Sequence, residues 1–174
     1  MIRYLAHFDL VLCVLINRVV NQSAPARLVF VTASRLGDGV FWYALMGVLP
    51  LVYGIAGLTA AIHMLVVSAL GVLIYKLIKQ ATGRPRPFSV EEAINLGTPP
   101  LDQYSFPSGH TLHAVAFTLI AVHYFPELAW ILVPFALLVA ASRVVLGLHY
   151  PTDVVCGAVL GWALAFTSME LLGA

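Results

Sequence analysis

A polytopic, all-helical membrane bundle is the fold class this sequence predicts, and three observations predict it. Of 174 residues, 61% are hydrophobic and only 10% are charged, against about 25% charged in an ordinary soluble domain. Mean hydropathy is +0.94. Between Asp38 and Lys76 lie 37 residues without a formal charge, room for two bilayer crossings of ~20 residues each. A surface this poor in charge has to meet lipid. About five to six transmembrane helices are expected, in one domain over 1–174.

The elements follow in order along the chain. In residues 1–36, Arg3, Asp9, Arg18, Arg27 and Arg35 cut the apolar runs short. Interfacial or partly inserted amphipathic helices are expected there, with one tilted span as the alternative. No small-residue cleavage site follows MIRYLAHFDLVLC, so a removable signal peptide is not expected. Two helices come next, near 39–55 and 57–80, broken at the YGIAG stretch. Residues 87–107 are the polar loop, expected to lie over the site. Ser89 and Glu92 have capping-box spacing and Gly97-Thr98-Pro99 is a stop, which predicts a short helix near 90–96. Further spans are predicted over 108–124, 128–146 and 153–172, with the turn at 125–127.

Several classes are excluded at this point. A net charge of +1 supplies no basic field for nucleic acid. Cys13 and Cys156 form no CxxC pair and read as packed core thiols. Phe41, Trp42, Tyr43 and Trp130 read as interface belts. Lys76 reads as a snorkelling lysine, His113 as a helix-packing residue, and His63 and His123 as structural.

In an up-down bundle the ends near Lys79, Ser108, Arg143 and Asp153 share one membrane face. Three clusters therefore meet. KQATGRPRP contributes Lys79 and Arg86, with Arg84 as a further candidate for phosphate or headgroups. FPSGHT contributes Ser108, Gly109 and His110. SRVVLGLHYPTD contributes Arg143, His149 and Asp153. Arginine forks match phosphate oxygens in pairs, and a helix start behind a Ser-Gly turn suits an anion. His149 and Asp153, four apart across a helix start, let a carboxylate hold an imidazole. His110, from another helix, is placed to protonate a departing oxygen. Two histidines, one backed by a carboxylate, in a cationic cradle describe phosphoryl transfer through a phosphohistidine. No metal and no cofactor are required, because arginines neutralise the equatorial oxygens. Arg143, inside an apolar run, would cost ~2.5–3.5 kcal/mol at a bilayer centre without a polar cavity or an anion.

Lys79-x6-Arg86-Pro87, Pro107-Ser108-Gly109-His110 and Ser142-Arg143-x5-His149-x3-Asp153 resemble the three signature motifs of the type 2 phosphatidic acid phosphatase (PAP2) superfamily, with every motif position filled. The resemblance implies an all-helical core like that of the vanadium haloperoxidases and a metal-independent phosphatase. It implies that His149 attacks, oriented by Asp153, and that His110 is the general acid and then the base. It further implies that Lys79, Arg86, Ser108, Gly109 and Arg143 bind the phosphate. The expected activity is hydrolysis of a lipid phosphomonoester or terminal diphosphate, such as undecaprenyl diphosphate, phosphatidate or phosphatidylglycerophosphate. A soluble-ester phosphatase and a non-catalytic lipid-binding membrane protein are the alternatives. The expected partners are the lipid phosphate and the bilayer; no oligomeric state is implied. The expected place is a bacterial inner membrane with the site facing the periplasm, although the lysine and arginine distribution by itself points the other way.

Overall fold

The computed structural model describes residues 2–173, with side chains from residue 7 onward, and contains only helices and their connections among them. Helix α1 (Ile2–Asn21) and helix α2 (Ala24–Arg35) precede a π-turn, Leu36–Val40. Helix α3 (Phe41–Thr82), the four-residue α4 (Pro87–Val90), α5 (Gly109–Tyr124), α6 (Ala129–Val145) and α7 (Pro151–Leu172) follow. A 3-10 turn, Pro126–Leu128, joins α5 to α6.

The 42-residue α3 is two arms. Gly54 takes φ 61° and ψ −132°, a conformation open to glycine at little cost. Gly57 then passes so close to the Leu49 carbonyl that no side chain fits between them. The chain folds back on itself within the YGIAG stretch where the sequence predicts a break. Trp42, Met46 and Leu49 from the first arm and Ala60, Met64 and Val67 from the second meet Phe117 and Ile120 of α5 in the main core.

Among the described residues, three segments are long and apolar enough to span a bilayer: one within Ala24–Val90, which bends at Gly39 and Gly54 and breaks after Thr82, then Pro126–Val145 and Pro151–Leu172. Their exposed faces are greasy: Leu51, Ile55, Trp130, Ile131 and Leu137 are all largely uncovered. Such faces suit lipid, not water. Helices α5 and α7 make the closest packing in the bundle. At Gly157 an added Cβ would sit 2.5 Å from the Ser108 carbonyl oxygen, and Gly161 lies as tightly on Leu112. Small residues one turn apart let two backbones approach in this way.

Two expectations are corrected. The short helix predicted near 90–96 is instead α4 at 87–90, because Pro87 starts it and Ser89 donates its hydroxyl back to the Arg86 carbonyl instead of capping a later turn. Trp42, read as an interface residue, is 1% exposed and packs on Phe41, Phe117 and Phe135.

Helix α1 carries a buried stripe at Asp9, Cys13 and Asn17, spaced four apart on one face. The stripe lies on the motif-bearing end of the bundle. Asn17 donates to the carbonyls of Asn95 and Val145, the Cys13 thiol contacts the His149 carbonyl, and Asp9 accepts from the Thr152 amide.

Candidate active site

The end of α3, the start of α5, the end of α6 and the start of α7 converge at this face. A cavity of about 210 Å³ opens among them. Lys79, Arg86, Arg143, Gly109, His110 and His149 all line it, so the structure brings together six of the nine candidate residues there. Ser108, Asp153 and Arg84 stand behind its wall.

The three cations reach it from different elements, and all are buried. Lys79 sits in the last turn of α3, which ends on Gly83 in a left-handed cap. Arg86 follows in extended backbone. Arg143 comes from the last turn of α6. Its Nη1 donates to Ser34 Oγ at 2.5 Å, whereas its Nε has no hydrogen-bond partner among the described residues. A buried guanidinium N–H without an acceptor is costly, and an anion in the cavity would supply one.

An internal carboxylate already occupies two of these cations. Asp102, in the 87–107 segment, accepts from Lys79 Nζ at 2.9 Å and from Arg86 Nη2 at 2.7 Å, both on Oδ1. Burial opposes its charge, but the Lys79 hydrogen bond and the charges of Lys79 and Arg86 outweigh it and hold its carboxyl below the usual range. Lys79 also donates to the Tyr104 carbonyl and Arg86 Nε to the Asp102 carbonyl. The later part of the predicted loop is thus stitched across the cradle.

His149 lies between α6 and α7, 1% exposed. Arg86 Nη1 approaches its Nε2 at 3.3 Å. Arginine only donates, so in this contact the unprotonated Nε2 accepts and Nδ1 bears the ring proton. Burial, followed by the positive charges of Arg143, Arg86 and Lys79, holds this imidazole well below the ordinary histidine value. It is neutral at pH 7, as a nucleophile has to be.

Asp153 holds less tightly than its spacing suggests. Its Oδ2 is 3.6 Å from His149 Nδ1, beyond hydrogen-bond range, and Nδ1 has no partner. The carboxylate accepts instead from the Tyr150 amide at 2.9 Å, in a capping arrangement at the start of α7, and from Arg84 Nη1 at 2.6 Å. A small approach of Asp153 would close the pair, and apo catalytic hydrogen bonds are often long.

Arg84 turns away from the cavity. Besides Asp153 it binds Asp9 at 2.8 Å and Thr152 at 2.9 Å, and it stacks on the Tyr150 ring. Ser108 caps α5, accepting from the Thr111 amide, while its own amide donates to the Asp153 carbonyl at 3.0 Å. That bond ties the second motif to the third.

The sequence reading missed Asp9, Asp38 and Asp102. His110 Nε2 lies 2.6 Å from Asp38 Oδ1, and both face the cavity. A carboxylate flanked by glycines, Gly37-Asp38-Gly39, was the available sign, as was the four-residue spacing of Asp9, Cys13 and Asn17.

The cavity reaches the surface beside Tyr43 and Leu101, both more than half exposed, with Ser68, Val72 and Tyr75 along the way. A polar floor of three cations and two histidines therefore continues into a partly apolar flank between the arms of α3. Such a shape takes an anionic head with a greasy tail.

Known proteins agree with this architecture. The PAP2 superfamily profile matches residues 60–173. An undecaprenyl-diphosphatase of Sulfolobus acidocaldarius is 30% identical over 167 residues, covering 94% of this chain and 78% of that protein. Undecaprenyl-diphosphatase BcrC of Bacillus subtilis is 35% identical over 96 residues, and there the match spans only 49% of the relative. The crystal structure of a transmembrane PAP2-type phosphatidylglycerolphosphate phosphatase from Bacillus subtilis superposes with a TM-score of 0.80 at 25% identity, over 97% of this chain and 86% of that one. Motifs, fold and relatives converge, and the chain is a membrane phosphatase of the PAP2 superfamily.

Proposed function

We propose that this protein hydrolyses a lipid diphosphate or phosphomonoester through a phosphohistidine on His149. The observation that carries the reading is one cavity holding His149, with Nε2 unprotonated, beside three buried cations and His110. In the first step Nε2 attacks phosphorus, the P–O bond to the lipid breaks, and His110 gives a proton to the departing oxygen. In the second step water attacks the phosphorus, its proton passes to His110, the P–N bond breaks, and inorganic phosphate leaves. Lys79, Arg86 and Arg143 carry the charge on the phosphoryl oxygens throughout. Gly109 keeps the start of α5 open to the phosphate. Ser108 and Asp153 hold the α5 and α7 starts in register.

An isoprenoid diphosphate such as undecaprenyl diphosphate is the substrate we favour. The relative matched over nearly the whole chain is named for it, and the flank of the cavity accepts a linear apolar tail. Phosphatidylglycerophosphate, named for the superposable structure, is the second lipid to offer. Three buried cations are placed to neutralise the phosphoryl oxygens, so the reaction is expected to proceed in EDTA. We place the site on the extracytoplasmic face of a bacterial plasma membrane. Lys79, Arg84 and Arg86 are paired with Asp102, Asp9 and Asp153, so their count overstates the free positive charge at that end.

The test is phosphate release by the purified protein in detergent with EDTA. The substrates are undecaprenyl diphosphate, phosphatidate, phosphatidylglycerophosphate and a soluble ester. Release from a lipid, abolished in His149→Ala and accompanied by an acid-labile, alkali-stable phosphoprotein, is expected. Release unaffected by His149→Ala, or none from any substrate, would sink it. Impermeant labelling of single cysteines at position 95 and position 127 in intact cells reads the face: labelling at 95 is expected, and at 127 alone reverses it.

A further inference from the structure

Asp38 sits in the π-turn between α2 and α3. Gly39 has φ 140°, where a side chain is strained. A Cβ on Gly37 would meet Val139 of α6 at 2.9 Å. Gly37 therefore lets the segment close on α6, and Gly39 supplies the turn on the other side of the carboxylate, against Tyr43. Asp38 does not serve the helices it joins, since α3 begins without a side-chain cap. Its hydrogen bond, Oδ1 to His110 Nε2, points into the cavity instead.

We propose that Asp38 is the positioning residue of His110. Asp38 accepts from Nε2–H and fixes that proton in place, which leaves Nδ1 as the nitrogen that trades a proton with substrate and water. In the first step Nδ1–H passes its proton to the leaving oxygen as the P–O bond breaks. In the second, Nδ1 takes a proton from the attacking water as the P–N bond to His149 breaks. Asp38 stays ionised in both. The electrostatics require such a partner. Lys79, Arg86 and Arg143 line the same cavity, with neutral His149 beside them and His113 one turn along α5. Asp102 is bonded to two of those cations. Asp38 is the carboxylate in contact with His110, and an imidazolium among cations needs one.

The proposal rests on His110 acting as the acid–base group, and the experiment separates the two claims. Two esters with the same dodecyl tail are compared by kcat/KM, one an alkyl phosphate and the other a nitrophenyl phosphate. Loss of proton donation slows the alkyl ester, whose leaving group is a strong base, far more than the nitrophenyl ester. Asp38→Asn is expected to lower kcat/KM on the alkyl ester by about 10- to 100-fold, a part of the 10²–10⁴ that general acid catalysis contributes, and on the nitrophenyl ester by less than about 3-fold. Asp38→Glu recovers part of the loss. Within His110→Ala, Asp38→Asn adds nothing. Equal loss on both esters, or additive loss in the double variant, overturns the proposal while His110→Ala still discriminates between the esters. A His110→Ala enzyme that does not discriminate overturns the parent assignment and this one with it. Asp38→Ser is measured alongside and is read in the same way if Asp38→Asn does not fold.

Discussion

Arg84 donates to Asp153 Oδ1 at 2.6 Å and reaches Asp9 with its other terminal nitrogen at 2.8 Å. The first-motif segment thereby grips the carboxylate behind His149 from the side away from the phosphate. Removing the guanidinium leaves two carboxylates buried and uncompensated. Arg84→Ala is expected to destabilise by about 3–5 kcal/mol, read as Tm in detergent. Asp9→Asn added to Arg84→Ala should restore part of that loss, because one stranded charge disappears. If the double variant is less stable than Arg84→Ala alone, the pairing does not matter energetically.

Asp102 predicts a change in anion affinity. It holds Lys79 and Arg86 through a single oxygen, so a bound phosphate has to displace it or share with it. Asp102→Asn is expected to tighten inhibition by inorganic phosphate or vanadate by about tenfold, as expected for removing a like charge at ~5 Å. Weaker inhibition would instead make Asp102 a scaffold for the two cations.

His149 predicts a pH dependence of stability. Its folded imidazole lies well below the ordinary value, so the unfolded chain takes up a proton near pH 6.5 that the folded chain refuses. Its contribution to stability is complete above pH 6.5 and declines as pH falls below it, by at most about 1.4 kcal/mol per pH unit. The quantity to measure is the Tm of the protein minus that of His149→Gln between pH 8 and 5. The difference should be flat above 6.5 and slope downward below it. A flat difference throughout means that the imidazole titrates normally.

Gly157 and Gly161 separate site geometry from bundle stability. Either alanine pushes α5 and α7 apart, at about 1–3 kcal/mol each. Only Gly157 touches the Ser108 carbonyl, the residue whose amide bonds the Asp153 carbonyl. Gly157→Ala should therefore lower kcat further than Gly161→Ala at a matched loss of Tm. Equal kcat in the two variants would dissociate that backbone bond from the reaction.

The legible part of the site was the part written in fixed spacings at helix ends. Lys79 and Arg86 flank one helix stop, and Arg143 and His149 flank another, so an up-down bundle suffices to bring them together. The carboxylates were not legible in this way. Asp9 meets Thr152 across 143 residues, Asp38 meets His110 across 72, and Asp102 belongs to a polar loop. Asp38 and Asp102 have no periodic partner, the stripe of Asp9 with Cys13 and Asn17 marks a buried face without saying against what, and only the folded path of the chain reveals what each acid meets. The α3 reversal was readable because glycines gather there. The position of α4 was not, since Pro87 starts the helix and Ser89 bonds back to the Arg86 carbonyl instead of capping a later turn.

The distance in sequence between Asp9 and its partners also governs when the site comes into being. Asp9 leaves the ribosome well before Asp153 and Thr152, which open α7. Arg84 joins them 75 residues after Asp9, so an incomplete chain can pair Asp9 with Arg84 but has neither His149 nor its carboxylate. Chains grow from the N-terminus at roughly 5–20 residues per second. A copy that stops short of α7 accordingly lacks the candidate site, which is complete only once α7 packs against α5 and α1.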